Sequence, residues 1–414
     1  MPINAIVSQF AEEAAFLWFL RSKAVSAPHF SLRDLTELDE RLEAQIDGLR
    51  VAGDAGWALC RDALQGDHAE GVFPAAVLAF ENGKETPIGD VMNAVSHDQG
   101  RSRPLISALG WLSYEKAQPH IKAFLTDESS FHRYIGIAAS AIHRHDPGLH
   151  LNKAASDPSP LVKARGLRAY GELGRSRELD LSGLRDDLTA DDDGVRFSAA
   201  WSATLAGNTE TVELLKSFVI PESHQKEKAL NAALRRMELT NALSWQKSLS
   251  KSEDTIRLAV IGTGIIGDSL FVPWLIEQMN TPVLARVAGE SFTMITGVDI
   301  ALEMEDARPD GFEAGPNDDP RDHNIAMDAD EDLSWPNVES ISAWWNKNKG
   351  DYPSGIRYLL GKPVSVDHLR QILRTGRQRQ RSAAALELAM MNPGQPLFEV
   401  RAPAFRQSGM RRNL

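Results

Sequence analysis

Three glycines, Gly262, Gly264 and Gly267, match the GxGxxG pattern that holds the pyrophosphate of a dinucleotide. That chemistry needs a strand before the first glycine and a helix after the turn, so that the phosphate meets a helix N-terminus. Here the pattern lies in an apolar segment, IRLAVIGTGIIGD, that aligns with other helical segments of the chain. We therefore interpret these glycines as helix-packing residues and predict no cofactor.

Histidines offer a second possible chemistry, metal binding. His143, His145 and His150 lie close together in sequence, and His97-Asp98 is a dipeptide of the kind seen in metal phosphohydrolases. Zinc ligands must converge on one point, whereas HRHDPGLH spans a predicted helix end and a turn. These side chains are better explained as residues of turns and helix ends, and no metal site is predicted.

Asp328, Asp330, Glu331 and Asp332 form an acidic group without the glycine and closing glutamate of a calcium-binding loop. They favour a solvated or partner-facing loop. Cys60 lies in an apolar stretch, GWALCRDAL, which is typical of a buried thiol rather than a nucleophile. The sequence thus indicates no catalytic residues, and we predict that the protein is not an enzyme.

The most concentrated basic feature consists of Arg374, Arg377, Arg379 and Arg381. Guanidinium groups bind carboxylates and phosphates well. Two interpretations stay open: these arginines pair with the acidic segment 303–332, or they bind an external acidic partner.

Trp344 and Trp345 are adjacent in a predicted helix, so their rings cannot share one face. One ring belongs in the core, and the other is a candidate anchor for a protein partner.

The formal net charge of −12 argues against general binding to nucleic acid or to an anionic membrane. The charge is uneven, because residues 301–350 carry a net charge of −9 and residues 351–414 carry +7. Cys60 is the single cysteine, which fits a reducing compartment. No run of eighteen apolar residues and no signal peptide is evident. We predict a cytoplasmic protein.

These residues must be positioned by a repeated element. Basic residues recur before apolar, Ala-rich stretches at separations of 30, 30, 33, 32, 29 and 29 residues. The seven positions are Arg103, Arg133, Lys163, Arg196, Lys228, Arg257 and Arg286. A period of this length predicts helical pairs that stack into a solenoid.

Acidic residues precede several of these basic residues by a constant distance. Asp127, Asp157 and Glu222 lie six positions before the basic residue, and Asp191 lies five before Arg196. We expect acidic and basic side chains of successive turns to form a charged ladder. Each exposed pair would contribute only about 0–1 kcal/mol, so the ladder would set register more than stability.

The predicted fold class is therefore all-α: an α-solenoid of helical-pair repeats with a helical N-terminal cap and a diverged C-terminal helical module. The predicted boundaries are 1–69 for the cap, 70–297 for the repeat array, 298–336 for an acidic loop, and 337–414 for the C-terminal module with its basic cap and extended tail.

The repeated segments resemble HEAT repeats of the short, phycobilisome-lyase-like variety. Other stretches, among them DEDLSWP, AWWNKN, YPSGIRYLLGKPVS and GRQRQRSAAALELAMMNPGQPLFEVRAPAFRQ, resemble an uncharacterised family of bacterial HEAT-repeat proteins. Members of that family often accompany type VI secretion gene clusters. The resemblance implies an adaptor, chaperone or immunity-type partner of a secreted effector encoded nearby.

The function expected from these observations is recognition of a protein along the concave surface of the solenoid. An alternative is a HEAT-like DNA-lesion-binding glycosylase or another HEAT-based enzyme. A glycosylase of that type needs a basic groove, and the repeat region here is net acidic.

Overall fold

The computed structural model of the chain describes residues 2–96, 99–175, 181–317, 321 and 325–410. The described residues form 23 α-helices and one small pair of strands. The strands are β1 (Tyr358–Leu359) and β2 (Lys362–Pro363), which pair antiparallel with Tyr358 opposite Pro363. The prediction of an all-α fold is confirmed.

The chain divides into two compact units. The first contains Met1–Ala206 and Leu373–Leu414, and the second contains Gly207–Ile372. The first unit begins with α1 (Pro2–Ala24), α2 (Leu32–Ala52), α3 (Asp54–Ala63), α4 (Val72–Asn82), α5 (Glu85–Ser96), α6 (Ser102–Trp111), α7 (Tyr114–Leu125), α8 (Ser130–Ile142), α9 (Leu149–Ala155), α10 (Pro160–Glu172), α11 (Leu181–Leu188) and α12 (Asp193–Leu205).

The second unit holds α13 (Thr211–Ser217), α14 (Lys226–Arg236), α15 (Leu239–Leu249), α16 (Glu253–Ile266), α17 (Val272–Gln278), α18 (Pro282–Thr296), α19 (Ile300–Glu303) and α20 (Val338–Asn348), followed by the two strands. The chain continues through α21 (Val366–Thr375), α22 (Gln378–Met391) and α23 (Ala404–Met410). Residues 337–414, which the sequence suggested as one module, are thus divided between the two units.

Each of the seven repeated basic residues lies within the first five residues of a helix. These helices, α6, α8, α10, α12, α14, α16 and α18, are called the repeat helices below. Local signals explain where they begin: Asp192 accepts a hydrogen bond from the Val195 N–H at 2.9 Å, and prolines occupy the first positions of α10 and α18.

The repeat helices form a row within each unit. In the first unit α4 packs on α6, α6 on α8, α8 on α10 and α10 on α12; in the second, α14 packs on α16 and α16 on α18. Each repeat helix after α6 also contacts the helix that precedes it in the chain, from α7 with α8 to α17 with α18. Pairs of helices therefore stack in chain order within each unit.

Three helices of the first row each contain a continuous buried stretch. Every residue of Val72–Phe80 in α4, Ile135–Ala141 in α8 and Phe197–Leu205 in α12 is buried. Burying a leucine- or phenylalanine-sized side chain contributes about 1.5–3 kcal/mol relative to leaving it exposed. The row is consequently a core layer, and most of the accessible residues of α8 and α12 lie at the N-terminal ends of these helices.

At the N-terminal end, α1, α2 and α3 pack on one another, and α1 and α3 also pack on α4. Ser31 caps α2: its hydroxyl accepts from the Asp34 N–H, and the Asp34 carboxylate accepts from the Ser31 N–H at 2.7 Å. Within the described ranges, no helix is both long enough and apolar enough to cross a membrane.

Candidate protein-binding surfaces

The turns that precede α8 and α10 share one local geometry. In each turn, the carboxylate of an aspartate accepts a hydrogen bond from the N–H two residues later, Ser129 to Asp127 at 2.8 Å and Ser159 to Asp157 at 2.9 Å. Aspartate favours this type of turn because its short side chain reaches its own backbone. One role of the acidic residue in these two repeats is therefore to stabilise the turn through a hydrogen bond to its own backbone.

The basic residue of the repeat binds the backbone of the same turn. Arg133 Nη1 donates to the carbonyl oxygens of Asp127 and Glu128, and Arg196 Nη1 donates to those of Ala190 and Asp191. In both cases the acceptors lie six and five residues earlier in the chain. This contact fixes the distance along the chain between the turn and the basic residue in these two repeats.

Carboxylates pair with the basic residue of the preceding repeat. Arg133 contacts both oxygens of Asp157, with Nε at 2.8 Å and Nη2 at 3.1 Å. Burial alone would raise the pKa of Asp157, but the Arg133 guanidinium and the Ser159 N–H lower it overall. The next rung joins Lys163 to Asp187 at 2.5 Å. Asp187 was not singled out in the sequence because it lies outside the repeat spacing.

Other ladder candidates have different surroundings. Arg103 donates to the Ser22 carbonyl at 3.0 Å, and Arg196 forms an ion pair with Asp193. The contact described for Asp191 is made by its backbone carbonyl. Glu222 is exposed in the turn before α14, and Lys228 is exposed on that helix.

In the second unit the ladder arginines bind the acidic loop. Arg257 donates to both carboxylate oxygens of Asp330, at 2.8 and 2.5 Å. Arg286 Nη2 donates to both oxygens of Asp328 at 2.9 and 2.7 Å, and its Nη1 donates to the Asp330 carbonyl at 2.9 Å. Bidentate arginine–carboxylate pairs fix geometry as well as charge. Asp328 and Asp330 thus supply the carboxylates for these arginines. In the first unit, the carboxylate for Arg133 comes instead from Asp157 in the turn of the next repeat.

Aromatic rings complete the anchor of the loop. The Arg286 guanidinium lies 4.6 Å from the centre of the Trp335 ring, which is in edge contact with Phe312 at 5.0 Å. The base of the loop is closed by an isolated bridge between Glu305 and Pro336. Ile325 and Met327, just before Asp328, are 85% and 68% exposed.

The four C-terminal arginines do not share one environment. Arg374 is exposed and, with Arg33 and Glu37, lines a polar groove of about 600 Å³. Arg379 donates to the Ser26 carbonyl at 3.0 Å, and Arg377 is bridged to Ser31.

Arg381 is fully buried, where it donates to the Leu373 carbonyl at 2.9 Å and to Gln407 at 2.5 Å. Its assignment to a partner-facing surface was therefore wrong. A buried guanidinium needs several acceptors, and backbone and glutamine oxygens provide them here.

Trp345 is buried in the core of the second unit, so it is the core ring of the pair and is no longer a candidate partner-binding residue. Trp344 is half-buried, with its ring edge against Phe292 at 5.7 Å, and it also lies near Tyr352. Adjacent residues on α20 point in different directions, but both rings find partners in this core.

The glycines of the GxGxxG pattern belong to a helix and its C-terminal end, and the histidines are not part of a metal site within the described residues. Gly262 and Gly264 lie inside α16, which follows a turn, and Gly267 ends that helix in the left-handed conformation. Among the described residues no group of three or more His, Cys, Asp or Glu is arranged to hold a metal ion. His97 and Asp98 lie outside the described residues.

The histidine cluster borders a groove in the first unit. His145 stacks on Tyr114 at 3.9 Å, and both residues line this groove together with His150 and Lys122. Its volume is about 540 Å³. His143 points elsewhere, to the Leu109 carbonyl at 2.8 Å.

Sequence reasoning missed a charged cluster on α10, with a further ion pair just after α8. Glu172 accepts from Arg165 and Arg168, both at 2.8 Å. Burial alone would raise the pKa of Glu172, but the charges of Arg165 and Arg168 lower it well below its ordinary value. Arg144 pairs with Glu399 at 2.9 Å. The available signal was the placement of charges at 165, 168 and 172, on one face of an otherwise apolar helix.

The segment 395–407, called the C-terminal strap, crosses the ends of three repeat helices. The Leu397 N–H donates to the Glu172 carbonyl of α10 at 3.0 Å. Arg406 donates to Gly110 of α6 and Ile142 of α8, both at 2.8 Å. These carbonyls have no partner within their own helices, and a guanidinium there also opposes the negative end of the helix dipole.

A similar crossing occurs in the second unit. Arg357 donates to the carbonyls of Leu234 and Met237 after α14, the Tyr358 N–H donates to Gly267 after α16, and the Leu360 N–H donates to Met294 in α18. Each unit thus ties three successive repeat helices together at their C-terminal ends.

Comparisons with known proteins give no family assignment. No protein-family model matches the chain. A search of curated proteins also found no match.

Proposed function

We propose that this chain is a non-enzymatic, protein-binding helical-repeat protein of the HEAT type. The observation that carries the proposal is a set of ladder pairs, Arg133–Asp157 in the first unit and Arg257–Asp330 and Arg286–Asp328 in the second. Arg257 and Arg286 hold the loop residues Asp328 and Asp330 in a defined place. Recognition segments are commonly loops that a rigid scaffold positions.

The chemistry of the conspicuous side chains supports binding rather than catalysis. A general acid must hold its proton near neutral pH. Despite burial, the pKa of Asp157 is lowered by Arg133, and that of Asp328 is lowered by the Asp330 N–H and by Arg286. Burial raises the pKa of the Cys60 thiol to about 12, so the thiolate needed for nucleophilic attack is scarce.

The partner we propose is a secreted effector encoded nearby, with the chain acting as its adaptor, chaperone or immunity-type partner. This step rests on the resemblance of the sequence motifs to the HEAT-repeat family that accompanies type VI secretion clusters.

The test is co-expression of the tagged full chain with each product of the neighbouring genes, followed by size-exclusion chromatography. We expect one product to co-elute in a fixed stoichiometry and to stay bound through a second affinity step. A chain that elutes unchanged beside every neighbouring product would overturn the proposal.

A further inference from the structure

Two large apolar side chains project from the acidic loop. Ile325 is 85% exposed and Met327 is 68% exposed, and they lie two positions apart in a segment that forms neither helix nor strand. Single exposed apolar residues are ordinary on protein surfaces. A pair on one short segment is less so, because each gains free energy once a partner removes it from water.

The apolar pair stands on a fixed base. Asp328 follows Met327 directly, and its carboxylate is bound by both contacts of Arg286 Nη2. Asp330, only 5% exposed, is held by Arg257 and by the Arg286 contact to its carbonyl. A segment that is ordered in advance loses less conformational entropy on binding.

The negative charge around Ile325 and Met327 restricts which kinds of partner can bind there. Residues 301–336 carry twelve acidic and two basic side chains. Asp328 and Asp330 are neutralised by arginines, while Glu331, Asp332 and Glu313 are exposed. This field repels nucleic acid and anionic lipid, and it attracts a surface rich in lysine and arginine.

We propose that the loop segment around Ile325 and Met327 is a docking surface for a protein with an apolar pocket bordered by lysine or arginine residues. The inference rests on the proposed protein-binding function and names the surface and the partner chemistry. Met327 is suited to such a pocket because its flexible thioether adapts to irregular shapes.

The first experiment places the photo-crosslinking residue p-benzoylphenylalanine at position 325 or 327 of the full chain in its native host. Val283 is the matched control, since it is apolar, 62% exposed and in the same unit. We expect one adduct from both loop positions and none from 283. Mass spectrometry should place the linked partner peptide next to lysine or arginine.

The second experiment measures binding of that purified partner to the double variant Ile325→Ser and Met327→Ser. Affinity should fall at least about tenfold, with Val283→Ser unchanged and wild-type binding weakened by added salt. Equal melting curves would show that the exposed substitutions leave the fold intact.

Several results would overturn the inference. These are no adduct from 325 or 327, equal labelling from 283, an adduct with a second copy of the chain, or unchanged affinity of the double variant. A neighbouring gene product that still binds the double variant would leave the proposed function standing and remove only this surface. Failure of every neighbouring product to bind would remove the proposed function itself.

Discussion

Arg21 and Asp39 form a buried ion pair, with 2.5 Å between Nε and Oδ1, and the same carboxylate accepts the Ala404 N–H at 2.7 Å. Arg21 in turn donates to the carbonyls of Arg401 and Ala402. A pair between α1 and α2 thus also holds the C-terminal strap.

Replacing Asp39 should therefore be costly. Asp39→Ala leaves the buried Arg21 charge without its carboxylate, and we expect a loss of about 3–5 kcal/mol in the free energy of unfolding. Glu37→Ala is the control, because Glu37 pairs with Arg33 in an exposed contact that contributes about 0–1 kcal/mol. Urea unfolding measures both variants, and a loss for Asp39→Ala as small as the control would contradict this account.

His143 should make stability depend on pH. Nδ1 accepts from Arg406 at 2.9 Å and Nε2 donates to the Leu109 carbonyl, so the folded ring is neutral. Burial and the Arg406 charge lower its pKa from 6.5 to about 4. Below pH 6.5 the unfolded chain binds a proton that the folded chain does not.

The stability supplied by this ring is thus complete above pH 6.5 and falls as pH drops toward 4, by up to about 3 kcal/mol. Urea titrations at pH 7 and pH 5 should show a smaller decrease in His143→Gln, whose amide makes similar hydrogen bonds without titrating. The same pH dependence in both proteins would exclude His143 as its source.

Alanine substitutions at Gly267 and Gly83 distinguish the cost of backbone strain from the cost of a steric clash. Both end a helix in the left-handed conformation, with φ of 75° and 69°. A Cβ at Gly267 would overlap the backbone carbonyl oxygen of Tyr358, whereas a Cβ at Gly83 meets nothing within 4 Å. We expect Gly83→Ala to cost about 1–2 kcal/mol and Gly267→Ala to cost about 3 kcal/mol or more. Hydrogen exchange at the ends of α4 and α16 measures the local loss of stability in each variant. Equal losses in the two variants would mean that the backbone at Tyr358 moves aside at little cost.

The rung between Arg133 and Asp157 should show measurable coupling. Its carboxylate is 8% exposed, so solvent screens the pair incompletely. A double-mutant cycle with Arg133→Ala and Asp157→Ala should yield a coupling energy of about 1 kcal/mol. The Lys216–Glu213 pair, whose carboxylate is 77% exposed, should yield about 0.5 kcal/mol or less. If the coupling energy of Arg133 and Asp157 is no larger than that of the control, the ladder pair contributes no more to stability than an ordinary surface ion pair.

The repeat helices could be located from sequence because each one is marked by residues that lie close together in the chain. Small apolar residues and a basic residue at a fixed position place Arg133 and Lys163 at equivalent points of α8 and α10. The turn aspartates were also identifiable, since Asp127 and Asp157 close turns through their own neighbouring backbone.

Contacts between distant parts of the chain were not accessible to this reasoning. Arg144 meets Glu399 and Arg381 meets Gln407 through folding of the strap, and no spacing rule connects these residues. The run of arginines looked like solvent-facing charge, since burial of Arg381 depends on acceptors supplied by the strap and by Leu373. Asp330 was visible as acidic, but its binding to Arg257 depends on how the loop returns to α16.

The first unit is assembled from two stretches of chain separated by the whole of Gly207–Ile372. During synthesis α8 and α10 emerge long before Leu397 and Arg406, so the carbonyls at their ends have no access to these donors until the C-terminal strap has been synthesised. The intervening stretch contains all the residues of its own unit and can complete its packing during that delay, since compact units generally fold as they emerge. We expect the inserted unit to mature first and the N-terminal helices to close last.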